Sequence, residues 1–152
     1  MLLALTQTYL AHATSTTADS EKEVLTSFQS LVDASINLDA EAYFQHFDAD
    51  KFVGLNSNGT NWNSLTEFTP VVTIGFDSIQ EVISLEFPNV KVSIIDQYTA
   101  VLVNEFSQSV LLKNNATITV SGGGIQVWSK RSGDWKLVSV SASNKPTPTA
   151  HD

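Results

Sequence analysis

No cysteine occurs in these 152 residues, so a disulfide framework and a thiolate metal site are both excluded. Cations are scarce as well: eight Lys and Arg stand against sixteen Asp and Glu, for a net charge of −8. Proteins that neutralise nucleic-acid phosphates need clustered basic residues, and only Lys130 and Arg131 are adjacent here, which argues against a nucleic-acid partner. The three histidines, His12, His46 and His151, are too far apart for a local ligand motif. Nothing in the pattern calls for a metal or a cofactor. No apolar run approaches the length of a membrane-spanning helix. What is present is apolar: 42% hydrophobic against 16% charged residues, enough for one domain with a real core.

The first residues, MLLALTQTYLAHA, join a short apolar segment to the small-x-small pattern Ala11-His12-Ala13, without a leading Lys or Arg. Residues 1–18 therefore read as a leader, either a signal-peptide remnant of an exported or periplasmic protein or a plain helical lead-in of a cytoplasmic one. Residues 146–152 are polar and proline-broken and read as a disordered tail. Asn58-Gly59-Thr60 and Asn115-Ala116-Thr117 match the glycosylation pattern, but Asn58-Gly59 is better explained as a hairpin turn.

Between these ends, Ser20-Glu21-Lys22-Glu23 has the form of a capping box. Val24, Leu25, Phe28, Leu31, Val32 and Ile36 then recur at helical spacing. A second helix is expected over 39–47, a strand over 51–56, a turn over 57–60 and an extended run over 71–76. Asp77-Ser78-Ile79-Gln80 resembles another helix cap, with Pro88 ending that helix. Strands follow at 90–95, 99–108, 116–121, 125–130 and 135–143. Helices first and an antiparallel meander afterwards indicate an α+β domain with helices gathered on one face of a bent sheet.

The last hairpin, VWSKRSGDWKLVSVSAS, fixes expectations about faces. A turn with Arg131 and Ser132 in type I geometry and Gly133 left-handed pairs Lys130 with Asp134, Trp128 with Lys136 and Gln126 with Val138. Alternation then places Gln126, Trp128, Val138, Val140 and Ala142 on one face, and Ile125, Val127, Trp135, Leu137, Ser139 and Ser141 on the other. The glycines 122–124 run into a strand rather than a helix, so they read as a bend in a sheet and not as a phosphate loop.

The order helix, helix, strand, helix, strands, together with FDADKFVGLNSNG, GFDSIQEV and the VW-KR-G-WK-V hairpin, resembles the nuclear transport factor 2-like superfamily. The likeness is greatest to its polyketide-cyclase-like branch and to the association domain of calcium/calmodulin-dependent kinase II. It covers residues 19–145. It implies a cone: a curved, mostly antiparallel sheet wrapped around N-terminal helices, enclosing an apolar pocket. It further implies a homodimer through the outer sheet face, where Ile125, Val127, Trp135 and Leu137 would be covered by a second copy. The chain departs from the family at Ser139-Val140-Ser141-Ala142-Ser143, where relatives commonly carry His-x-His-x-Ser, so no role of those imidazoles transfers.

Within such a pocket, Tyr43, Phe47, Trp62, Asn104, Phe106, Gln126 and Trp128 are the candidate ligand contacts. An amide such as Gln126 on an apolar face needs a partner: Asn104, a water or a ligand. Candidate catalytic groups are few: His46, one turn from Tyr43, could serve as a base, Asp77 could reach the pocket mouth, and Tyr43 could donate a hydrogen bond. The plainer readings are a half-exposed histidine at a helix end and a helix-capping aspartate. The first expectation is thus a small-molecule-binding or oligomerisation module with a mostly apolar pocket. The alternative is an isomerase, cyclase or dehydratase acting on a small apolar substrate there.

Overall fold

The computed structural model describes residues 16–146. The readings made for residues 1–15 and 147–152 lie outside them. Helix α1 (Thr17–Ile36) starts at a capping box formed by Thr16 and Asp19: Thr16 Oγ1 accepts from the Asp19 N–H, and the Asp19 carboxylate accepts from the Thr16 N–H. Ser20, expected to be the cap, lies one turn inside, where it is 3% exposed. The stripe Val24, Phe28, Leu31 and Val32 is buried as the spacing requires. Helix α2 (Ala40–Phe44) is capped by Asp39, whose carboxylate accepts from the Ala42 N–H.

Strand β1 (Val53–Leu55) turns through Asn58-Gly59, with Gly59 at φ +87°, into β2 (Asn61–Trp62). The extended run expected over 71–76 is instead part of helix α3 (Leu65–Ser78). Ser64 accepts from the Glu67 N–H, and the Glu67 carboxylate reaches back to the Asn63 N–H. This N-terminal clasp and the burial of Phe68 override the β-branched composition of Val71, Val72, Thr73 and Ile74. Asp77 sits at the end of α3 rather than before a helix, and residues 79–88 begin the long strand β3 (Ile79–Asp96). Pro88 does not end a helix. It lies in an irregularity between Glu86 and Asn89 on a strand at the sheet edge, where a missing N–H is tolerated.

Strands β4 (Thr99–Leu112), β5 (Thr117–Ser129) and β6 (Lys136–Asn144) complete one curved, unclosed six-stranded sheet of order β2-β1-β6-β5-β4-β3. Glycines 122–124 do not separate two strands; β5 runs straight through them. A β-carbon at Gly122 would lie 2.0 Å from Ser143 O and 2.9 Å from the Phe106 ring, so only glycine fits where β6 and that ring close on the strand. The helices cover the concave face, giving the α+β cone. The core joins Val24, Phe28 and Leu31 to Leu102, Trp128 and Leu137, all 6% exposed or less.

The final hairpin differs from the expected register. Gly133 is left-handed at φ +111° and its N–H bonds to Lys130 O, as the turn requires. Pairing, however, runs Ser129–Lys136, Trp128–Leu137, Val127–Ser139 and Gln126–Val140. Val138 is an extra, bulged residue, which turns Leu137 to the concave face beside Trp128. Both Leu137 (0% exposed) and Trp135 (5%) are therefore core residues and cannot belong to an outer interface. The outer face is built from two cross-strand rows: Val53, Ser139, Val127 and Val101, then Leu55, Ser141, Ile125 and Val103. Four of these side chains, Val53, Leu55, Val103 and Ile125, are 44–50% exposed.

Candidate functional site

The concave face is filled at one end and open at the other. Trp128 and Leu102 are wholly buried, and an aromatic cluster of Tyr43, Phe44, Phe47, Phe52, Phe68 and Trp62 packs ring to ring beside them, with Trp62 and Phe68 centroids 4.6 Å apart. Beyond this cluster lies a cavity of about 290 Å³. Tyr43, Trp62, Phe68, Phe106 and Val140 supply its apolar surface, and Asn56, Asn104 and Gln126 supply amides. None of the described residues that line it is an Asp, Glu, His, Lys or Arg.

Each polar group is placed by the sheet. Asn104 follows Leu102 by two on β4, so it faces inward and is 6% exposed, while Glu105 points outward beside Lys145. Opposite Asn104 stands Gly124. A β-carbon there would come within 3.2 Å of Asn104 Oδ1, so the glycine leaves the amide its space. Gln126 finds a protein partner that the sequence did not suggest: its Oε1 accepts from the Trp128 indole N–H at 3.1 Å. Among the described residues neither the Asn104 amide nor the Tyr43 hydroxyl has a hydrogen-bond partner. Burial raises the Tyr43 phenol far above its ordinary pKa, so it remains a neutral O–H at physiological pH.

Of the residues singled out from sequence, Tyr43, Trp62, Asn104, Phe106 and Gln126 converge on this cavity. Phe47 and Trp128 lie in the core beside it. His46 does not reach it. Its side chain lines a separate groove with Lys22, Glu23, Lys130, Trp135 and Lys136, where burial first and the Lys136 charge second lower its pKa. Asp77 is exposed at the end of α3. Phe68, Asn56 and Gly124 were not anticipated. The Ser64-to-Glu67 capping pattern could have revealed the helix that carries Phe68, and the glycines facing a polar strand could have revealed Gly124.

A family model described as a SnoaL-like domain matches residues 24–148. The chain belongs to the SnoaL-like family. Solved structures with the same fold include a nuclear transport factor 2-like superfamily protein from Salmonella enterica, 14% identical with a TM-score of 0.77, the match covering 89% of this chain and 97% of that one. A proposed dehydratase of the NTF2-like family from Streptomyces avermitilis is also 14% identical, with a TM-score of 0.76 and coverage of 87% and 100%. The association domain of CaMKII from C. elegans is 22% identical, with a TM-score of 0.67 and coverage of 83% and 96%. At these identities the likeness establishes the fold of this SnoaL-like chain. No curated protein sequence matches it. Among the described residues no helix is long and apolar enough to cross a membrane.

Proposed function

We propose that this SnoaL-like chain is a small-molecule-binding module whose copies pair through the outer sheet face. One observation carries the reading: Asn104 presents a nine-tenths-buried amide, without a hydrogen-bond partner among the described residues, to a cavity whose described lining residues include no ionic side chain. No fully buried side-chain polar atom among the described residues lacks a partner, so the Asn104 amide atoms open onto the cavity, where a bound molecule can take up their hydrogen bonds. The cavity lies at the lower end of the range of ligand pockets. A catalytic reading would require a base against the ligand. Tyr43 is the one titratable side chain among the described lining residues, and it is held as a neutral donor.

Mass spectrometry of small molecules released from the purified protein tests the binding role. The expected result is a molecule retained by the parent and lost from a folded Asn104→Leu variant. Chemical turnover that survives in Asn104→Leu and disappears in Tyr43→Phe would overturn the module in favour of an enzyme. Pairing is supported by the uncharged rows centred on Val103 and Ile125, since so much exposed apolar sheet is unusual on a monomer. Light scattering should give twice the 16.5 kDa chain mass, falling to one chain when Ile125 and Val103 are both changed to Lys. A parent that is monomeric at micromolar concentration would end this part of the proposal.

A further inference from the structure

Resting on that binding role, we infer that the cavity takes an uncharged molecule about the size of two fused rings, presenting a lactam or amide edge to Asn104. Size comes first. An apolar cavity of about 150 Å³ admits benzene, and this one, at about 290 Å³, is roughly twice as large. Its aromatic walls, Tyr43, Trp62, Phe68 and Phe106, suit a flat apolar body.

Charge comes next. With no ionic side chain among the described lining residues, a carboxylate or ammonium would lose its hydration without gaining a counter-charge. Polarity of the edge follows from the amide itself. A carboxamide offers an acceptor and a donor side by side, and at Asn104 neither is engaged by the described residues. Only a group that also carries a donor beside an acceptor satisfies both; a ketone leaves the Asn104 oxygen unpaired, and a carboxylate sets oxygen against oxygen. Gln126 reinforces this selection. Its oxygen already accepts from the Trp128 indole, while its two N–H donors are unengaged among the described residues and are what it chiefly offers the cavity. Gly124 keeps the Asn104 edge clear, because a β-carbon there would press on Oδ1.

Calorimetric titration with three probes tests the inference: 2-quinolone, which carries the lactam edge; 1-methyl-2-quinolone, in which the donor is blocked; and 2-naphthoate, which is charged. The lactam should bind about tenfold more tightly than either of the others, as expected when one buried hydrogen bond is lost. That preference should vanish in Asn104→Leu, which separates the lost donor from the bulk of the added methyl. Should this variant fail to fold, Asn104→Ala serves the same purpose without adding volume. Equal binding of the two quinolones, tighter binding of 2-naphthoate, or a lactam preference that persists without Asn104 overturns the inference while leaving a binding cavity in place. Binding of none of the three overturns the inference and counts against the binding role as well.

Discussion

Strands β4 and β5 share one concave face, yet its two ends are built to opposite ends. Toward the hairpin, Ala100 opposes Trp128 and Leu102 opposes Gln126, and the space is filled by an indole that is wholly buried. Two residues further along the pairs become Asn104 with Gly124 and Phe106 with Gly122. The backbone course is continuous, but the partner side chain has shrunk to a hydrogen. Filling therefore stops, Phe106 lies over a glycine, and an amide faces the cavity instead of packed carbon. In this fold a cavity is made by placing glycine across from a residue that would otherwise be covered.

The largest expected effect lies at the filled end. Trp128→Ala removes a fully buried aromatic and should cost about 3–5 kcal/mol of stability in denaturant melts. A smaller loss would mean that the filled end tolerates space as the open end does. Gly122→Ala comes next: a β-carbon placed 2.0 Å from Ser143 O must displace β6, at a cost of roughly 1–3 kcal/mol, whereas Gly123, where the nearest contact is 3.4 Å, should accept alanine with less loss. Gln126→Leu separates the two ends more finely. It leaves the buried Trp128 indole N–H without its acceptor and should cost about 1–3 kcal/mol, while Asn104→Leu abandons no partner among the described residues and should be neutral or stabilising.

The smallest effect lies outside the cone. The Glu23 carboxylate accepts from Lys130 Nζ and from the Trp135 indole N–H, clasping α1 to the final hairpin, and these bonds lower its pKa, the Lys130 bond most. A depressed carboxylate pKa contributes stability that is complete above the ordinary Glu value and is lost as pH falls below it toward the folded value. Thermal melts of the parent should weaken across that acid window more than those of Glu23→Gln, with little difference in acid sensitivity near neutral pH. Identical acid profiles would show that the clasp contributes nothing, as exposed pairs often do.

Different elements also differed in how well they could be read from sequence. That Asn104 shares a face with Phe106, and Gln126 with Trp128, followed from simple alternation, because β4 and this part of β5 are regular; which face is concave did not, since the Val101 and Val103 face of β4 is apolar as well. Alternation failed one strand later, where the Val138 bulge exchanged Leu137 for its neighbour and took Leu137 and Trp135 out of the outer face. A bulge of this kind is decided by which large side chain the core needs, and that information is not local. The same non-local demand made a strand of Ile79–Phe87 against its local signal, whereas the helix over Val71–Phe76 had a local signal in the Ser64-to-Glu67 cap that its β-branched composition obscured. His46 was misplaced by helical reasoning for a related reason: α2 ends at Phe44, so its one-turn relation to Tyr43 does not carry both side chains to one cavity.

If the Asn104 amide, which has no partner among the described residues, is the polar contact of a ligand site, its side-chain resonances report the binding most directly. In isotope-labelled protein titrated with 2-quinolone, the Asn104 side-chain amide pair should shift strongly and saturably, with smaller shifts at Gln126 and Gly124 and none in the groove around His46. A titration that moves His46 and Lys136 signals while leaving the Asn104 amide unchanged would contradict it.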